Sequence, residues 1–321
     1  MLKILLQKFK TDFVSVKFWQ LICFCKRKLI EVPKSLTGVF LSMLAVLFAV
    51  LTGILLKKLR SDINLVTTLF YRFLFSIPIL TGYAVYIRGR DFLQINQPRI
   101  LALRTILGCC GITFWFLSLR SMPFGMATAL FQSSVIFVTL FSPLFLGESV
   151  GIYRWSAVVA GLSGVVIITD PFSGNMSLYV FYGIAAALAG AALSLVLRQL
   201  GKGDAPASVA VWYNVAGFVL LSILVVVFPN QLQSISKDVF VDLILLGVVG
   251  SALQIAITTA YKHSEAVVVA SMRYLQMPLS AVVGYFLFAE VMSPKEIIGA
   301  LVIILSCLVI AWRELLRMRK I

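Results

Sequence analysis

The chain has 321 residues, of which 60% are hydrophobic and only 13% charged, and its mean hydropathy is +1.00. A soluble domain is about 45–50% apolar, so a water-solvated globule is excluded. The net charge of +15 does not form a nucleic-acid face, because the basic residues fall mainly at the two ends and in the joints between apolar runs.

Residues 1–35 alternate Lys and Arg with Leu, Ile, Phe and Trp. No small-residue cleavage site follows the short apolar run at 18–25, which argues against a signal peptide. The pattern predicts an amphipathic helix lying on an anionic inner leaflet, with a disordered basic tail as the alternative. Pro33 closes the segment.

Ten apolar stretches follow, at 36–56, 64–87, 100–119, 124–146, 153–169, 178–197, 207–228, 240–261, 266–288 and 296–312. A helix needs about 20 residues to cross the hydrocarbon layer. Barrel strands would be half as long and would alternate apolar with polar, so these runs predict helices. Residues 313–321 form a basic tail. Turn chemistry marks the joints, as in the Gly-Lys-Gly-Asp-Ala-Pro run from Gly201, and no soluble domain is inserted between spans.

The chain repeats itself at an offset of 142 positions. Glu148 ends the run 127–147 and Glu290 ends the run 269–289; without a gap, Gly108 falls on Gly250, Tyr71 on Tyr213 and Leu55 on Leu197. Two five-span copies, 36–169 and 178–312, meet at the joint 170–177. Five is odd, so the second copy must sit inverted relative to the first, as in many secondary transporters. The fold class expected is therefore an all-α membrane protein of ten transmembrane helices in two inverted five-helix repeats. If both termini are cytoplasmic, nineteen Lys and Arg fall on the inner side and six on the outer, with three inside spans. This bias places both ends inside, in the plasma membrane, which for a bacterial cell is the inner membrane. The exception is Lys57-Lys58-Leu59-Arg60, a basic stretch on the outer side.

Charges at membrane depth are expensive and mark water-filled paths or sites. Arg72 lies roughly 12 Å into the second span and Arg273 roughly 10 Å into the ninth, at 1.5 Å per residue. Arg104 is only four residues into the third, shallow enough to snorkel to the headgroups. The ninth span carries Arg273, Gln276, Ser280 and Gly284 on one face, bordered by Tyr274, and Pro278 should loosen it by removing one backbone bond. Gln132 shares a face of the fourth span with Thr128 and Thr139, and Gln254 shares one of the eighth with Ser251, Thr258 and Tyr261. Trp115 aligns with Arg104, Gly108 and Gly111 in the third span. Interhelical hydrogen bonding accounts for a lone Ser or Thr. Polar stripes from symmetry-related helices would instead meet in a central cavity with aromatic walls. The solute site expected there comprises Trp115, Gln132, Gln254, Arg273, Tyr274 and Gln276, with Arg72 and Arg104 as further candidates.

The expected partners are a small-molecule solute and the bilayer, with no nucleic acid, metal or other cofactor. No Asp or Glu lies deep in any span, and the single histidine, His263, follows the eighth. Proton-driven carriers commonly relay through such groups, so facilitated diffusion or exchange is expected rather than tight proton coupling. The same poverty of acid–base groups and the lack of a Walker motif argue against an enzyme or an ATP-driven pump. The five cysteines are too scattered for a disulfide framework and read as small buried thiols.

These features resemble the EamA-type branch of the drug/metabolite transporter superfamily over residues 36–312. The resemblance rests on Leu146-Gly147-Glu148 with its counterpart Phe288-Ala289-Glu290, on Tyr71-Arg72-Phe73, on Ala127-Thr128-Ala129 and on Gly161 and Gly164. Ala289 stands where glycine is usual. The resemblance implies alternating access around a cavity between the halves, with the two glutamates as structural caps. Within the family, the run from Ser271 to Pro278 and the basic leader look like members that take up S-adenosylmethionine or similar metabolites. The same chemistry suits riboflavin, an amino acid or a nucleotide-linked sugar. An amino-acid or drug exporter is the alternative inside the class, and a non-transporting membrane scaffold the alternative outside it.

Overall fold

The computed structural model describes residues 34–59, 62–146, 152–169, 178–264, 269 and 272–318. The amphipathic leader, Glu148 and the outermost basic residues of the tail lie outside the described residues. The chain divides into Met1–Thr37 and Gly38–Ile321, and the packing described below belongs to the second unit.

Every regular element among the described residues is helical. In chain order they are α1 (Lys34–Leu59), α2 (Leu65–Arg88), α3 (Pro98–Ser121), α4 (Phe124–Gln132), α5 (Ser134–Leu146), α6 (Ile152–Thr169), α7 (Leu178–Gly203), α8 (Pro206–Val227), α9 (Lys237–His263), α10 (Gln276–Phe288) and α11 (Pro294–Met318). Seven spans among them are long and apolar enough to cross a membrane, and Trp155–Ile167 and Gln276–Phe288 are shorter apolar helices. Their lengths follow the apolar runs because a backbone in lipid must satisfy its own hydrogen bonds. Local signals set the ends: Asn64 caps α2 by accepting from the Thr67 amide at 2.8 Å, and Pro98 and Pro206 open α3 and α8, where no amide hydrogen is needed. Large apolar side chains such as Val226, Phe286 and Val159 face outward, as expected of a lipid-facing surface rather than a wetted one.

Helices of the first half pack chiefly on helices of the second. α6 lies on α11, α2 on α8 and α9, α3 on α7, and α4 on α10. Small residues allow the approach: a methyl group at Gly164 would stand 2.8 Å from the Gly299 carbonyl, so no side chain fits between α6 and α11.

Two helices expected as continuous runs are broken. The fourth run divides at Ser133 (φ −58°, ψ −11°) into α4 and α5, and Ser133 Oγ donates to the Leu130 carbonyl at 2.6 Å. The ninth run passes from a 3-10 turn at Arg273–Leu275 into α10, with Leu275 at φ −59° and ψ −21°. Ser133 and Leu275 are 142 positions apart, the repeat offset. Pro278 therefore falls in the first turn of α10, where amides lack intrahelical acceptors anyway, and the loosening expected there does not arise.

Further corrections concern single residues. Arg104 does not snorkel: it is 1% exposed and turned into the bundle, because partners inside compete with the headgroups. Cys110 is an exposed thiol on the outer face of α3 rather than a buried one, and Cys109 is half-buried; a thiol is apolar enough to face lipid. Two cations of the basic stretch expected on the outer side have partners. Lys57 is fully buried and pairs with Glu290, while Lys58 pairs with Asp242 at 2.8 Å.

Candidate functional site

A cavity of about 140 Å³ lies among α1, α2, α3, α4, α7, α8, α9 and the Arg273–Leu275 turn. Its wall includes Arg72, Arg104, Trp115, Gln254, Arg273 and Gln276, six of the eight residues expected from the sequence. Gln132 is buried behind the wall and donates through Nε2 to the Arg273 carbonyl, so it holds the 3-10 turn rather than lining the space. The backbone of Tyr274 lies in that same turn; its side chain is outside the described residues. Among the described residues no Asp or Glu lines the cavity.

Arg104 comes from the first two turns of α3, where four residues of helix carry it inward from Ile100. Its Nη2 donates to Gln254 Oε1 at 2.9 Å, and its guanidinium stacks on Tyr213, 3.6 Å from the ring centroid. Tyr213 itself is 1% exposed and meets Phe73 edge-on at 5.5 Å. Gly108, one turn after Arg104, makes room for this stack, since a methyl group there would lie 2.6 Å from Arg104 Nη1 and 2.7 Å from Tyr213 Cε2. Arg72 projects from the middle of α2 and runs past Gly250 of α9, whose added methyl would lie 3.2 Å from Arg72 Nε. The two glycines that anchor the repeat thus each make way for a buried arginine.

The aromatic wall is built by Trp115, 5.8 Å between ring centroids from Phe131 at the end of α4. Arg273 stands over the other side of that neighbourhood, 4.8 Å from the Phe131 centroid. Because α4 stops at Gln132, Phe131 and Gln132 reach the Arg273 turn from one short helical end. Tyr261 and Ser194 complete the opposite wall and bond to each other at 2.8 Å.

Several buried polar atoms of residues lining this space have no hydrogen-bond partner among the described residues. They are Nε and Nη1 of both Arg72 and Arg104, Nε1 of Trp115 and Oε1 of Gln276. Buried polar groups are ordinarily satisfied, and exceptions grouped around one cavity make it the candidate site. The set offers guanidinium and indole donors for an acceptor, and ring faces for a planar group.

Sequence reasoning missed Phe131, Tyr213, Tyr261 and Ser194 as site residues. Tyr213 carried a signal, since it is the repeat counterpart of Tyr71. Its neighbour Trp212 points outward instead and donates to the Leu93 carbonyl at 2.9 Å. Phe131 had none beyond its alignment with Arg273 at the repeat offset.

Comparison with known proteins adds an independent line. The model of the EamA-like transporter family matches twice, at residues 36–170 and 177–312. An S-adenosylmethionine uptake transporter of Rickettsia felis is 26% identical, covering 87% of this chain and 94% of that protein. A riboflavin transporter of Vibrio cholerae is 28% identical over 79% of this chain and 85% of its own length. The pseudopaline exporter CntI of Pseudomonas aeruginosa is 28% identical over 86% and 96%. A crystal structure at 18% identity shares the fold, with a TM-score of 0.60 over 85% of this chain and 95% of the other.

Proposed function

We propose a mode of transport from one premise: the chain belongs to the EamA-like transporter family. It is an integral membrane protein and a transporter, and its solute is a small polar or aromatic metabolite held in the cavity lined by Arg72, Arg104, Trp115, Gln254, Arg273 and Gln276. The observation that carries this assignment is the cluster of unsatisfied guanidinium and indole donors on residues lining one cavity. The names of the relatives, for S-adenosylmethionine, riboflavin and pseudopaline, fit a site that combines donors with ring faces. They also include both uptake and export, as suits a carrier whose direction is set by gradients.

The architecture that suits this role is ten spans in two inverted halves, with both termini cytoplasmic. Support comes from the two family-model matches, from the 142-residue offset, and from the matched backbone breaks at Ser133 and Leu275. Discontinuous helices beside a midplane site are a recurrent feature of inverted-repeat carriers. Under this topology Lys57, Lys58, Asp242 and Glu290 would all belong to the outer end, and the Lys57–Glu290 and Lys58–Asp242 ion pairs are compatible with that arrangement. The rocking of one half on the other would then open the cavity to each side in turn. Among the described residues no carboxylate or histidine stands in its wall, which favours exchange or facilitated diffusion over proton coupling.

The test is counterflow in proteoliposomes made with the full chain, using riboflavin and S-adenosylmethionine as labelled probes. Accumulation of one of them against an unlabelled internal pool, abolished by Trp115→Ala and Arg273→Ala, is the expected result. A scaffold would show no flux in any variant. Strict dependence of flux on a proton gradient would defeat the exchange reading.

A further inference from the structure

Arg72 and Arg104 are each 1% exposed and take part in no ion pair among the described residues. A guanidinium does not give up its proton in a protein, so both remain charged. An arginine that merely ties helix ends together directs its donors at backbone carbonyls. Arg198 shows this, with Nη1 donating to the Tyr261 and Ser264 carbonyls at 3.1 and 2.9 Å. Arg104 instead makes one side-chain bond, to neutral Gln254, and Arg72 leaves Nε and Nη1 unsatisfied.

The repeat argues the same way. At the 142-residue offset Arg72 corresponds to Asn214 and Arg104 to Leu246. Asn214 and Leu246 are both fully buried in equivalent helices. The fold therefore does not need a cation at either position: the first half carries one at each and the second half carries neither, its own cavity arginine, Arg273, standing elsewhere on the wall. The glycines beside them, Gly250 and Gly108, leave room for the guanidiniums alone. The cavity thus has two unlike ends: one where two fully buried guanidiniums, Arg72 and Arg104, meet with Arg104 stacked on Tyr213, and one dominated by the Trp115 and Phe131 rings, with the half-buried Arg273 over Phe131.

Building on the assignment of this cavity as the solute path, we propose that the transporter selects metabolites joining a planar ring to an acidic group, a carboxylate or a phosphate. The acid is held by Arg72 and Arg104 and the ring by Trp115 and Phe131. A solute without the acid leaves two buried charges uncompensated, which is the term that discriminates. Charge-assisted hydrogen bonds of this kind change affinity by roughly tenfold to a hundredfold.

Two probe pairs differ in one acid each: flavin mononucleotide against riboflavin, and S-adenosylmethionine against its decarboxylated form. Equilibrium binding is measured with the full chain in lipid nanodiscs. The acid-bearing member of at least one pair should bind tighter by tenfold or more, and the phosphate and carboxylate pairs distinguish the two acids. In Arg72→Gln and Arg104→Gln that ratio should fall below about threefold, with partial recovery in the matching Lys variants. Because the ratio is taken within one protein sample, a loss of folded material does not alter it. Ratios near one in the unmodified protein, undiminished ratios in both Gln variants, or no binding of either acid-bearing probe would overturn the proposal. If the two members bind equally in both pairs and all weaken in Trp115→Ala, the cavity remains the solute site and only the acid selection falls. Binding untouched by Trp115→Ala would remove the cavity assignment itself.

Discussion

Adding one methyl group at Gly108 tests the geometry of the cationic end with little change in chemistry. The new carbon would lie 2.6 Å from Arg104 Nη1 and 2.7 Å from Tyr213 Cε2, against an ordinary contact of 3.4 Å, a deficit of roughly 0.7–0.8 Å. Tyr213 cannot yield, because it is buried edge-on against Phe73, itself pressed over Gly217. Arg104 must therefore move, and its 2.9 Å bond to Gln254 stretches beyond hydrogen-bonding distance. Overpacking costs about 1–3 kcal/mol, offset by about 0.5–1 kcal/mol from replacing glycine in a helix. Gly108→Ala should thus lose about 1 kcal/mol of stability and bind flavin mononucleotide roughly tenfold more weakly. Gly250→Ala, with Arg72 Nε at 3.2 Å, requires a shift of only a few tenths of an ångström and should cost about two- to threefold. Gly82→Ala meets nothing within 4 Å and should leave binding unchanged. Flavin fluorescence titration and thermal unfolding in nanodiscs would read all three. Equal affinities across the series, or a Gly82 variant as weak as Gly108→Ala, would refute the reasoning.

Two further outcomes follow from the end of the bundle where Lys57 meets Glu290. Glu290 accepts from buried Lys57 and, through its other oxygen, from the Phe124 amide at 2.7 Å. Glu290→Gln should therefore destabilise by about 3–5 kcal/mol, with much of the loss recovered when Lys57→Met is added; strictly additive losses in a double-mutant unfolding cycle would contradict the pairing. Ala289 sits at φ 52°, in the left-handed region, as α10 ends, a conformation costing an L-residue about 1–2 kcal/mol. Ala289→Gly should raise stability by about 1 kcal/mol, and a lowered melting temperature would show that the methyl group contributes packing instead.

Much of this molecule could be read from its residues because lipid permits few backbones. Apolar runs had to be helices, and the 142-residue echo of glycines and glutamates marked the two copies that the family model also matches. The arginines and amides of the site stood out as expensive groups at depth. What escaped notice was geometry that composition does not carry. Ser133 is an ordinary residue in an apolar run, and nothing in its identity signals a helix break; the break arises where Gln132 reaches across to the Arg273 turn. Arg104 is near a span end in sequence, so snorkelling was the natural expectation, yet Gln254 and the Tyr213 ring offered it better partners inside. Phe131 looked like any apolar-face aromatic, because a ring facing a cavity and a ring facing a neighbour share the same helical spacing, whereas Tyr261 already stood on the polar stripe of its span.

Two-sided access to the cavity is the measurement closest to the heart of the account. With the five native cysteines replaced, a single cysteine at Ala49 or Leu193, both on the cavity wall, is exposed to a membrane-impermeant maleimide in sealed vesicles of each orientation. The account predicts labelling from both faces of the membrane, slowed by flavin mononucleotide. Labelling from one face only, at a rate no solute alters, would contradict it.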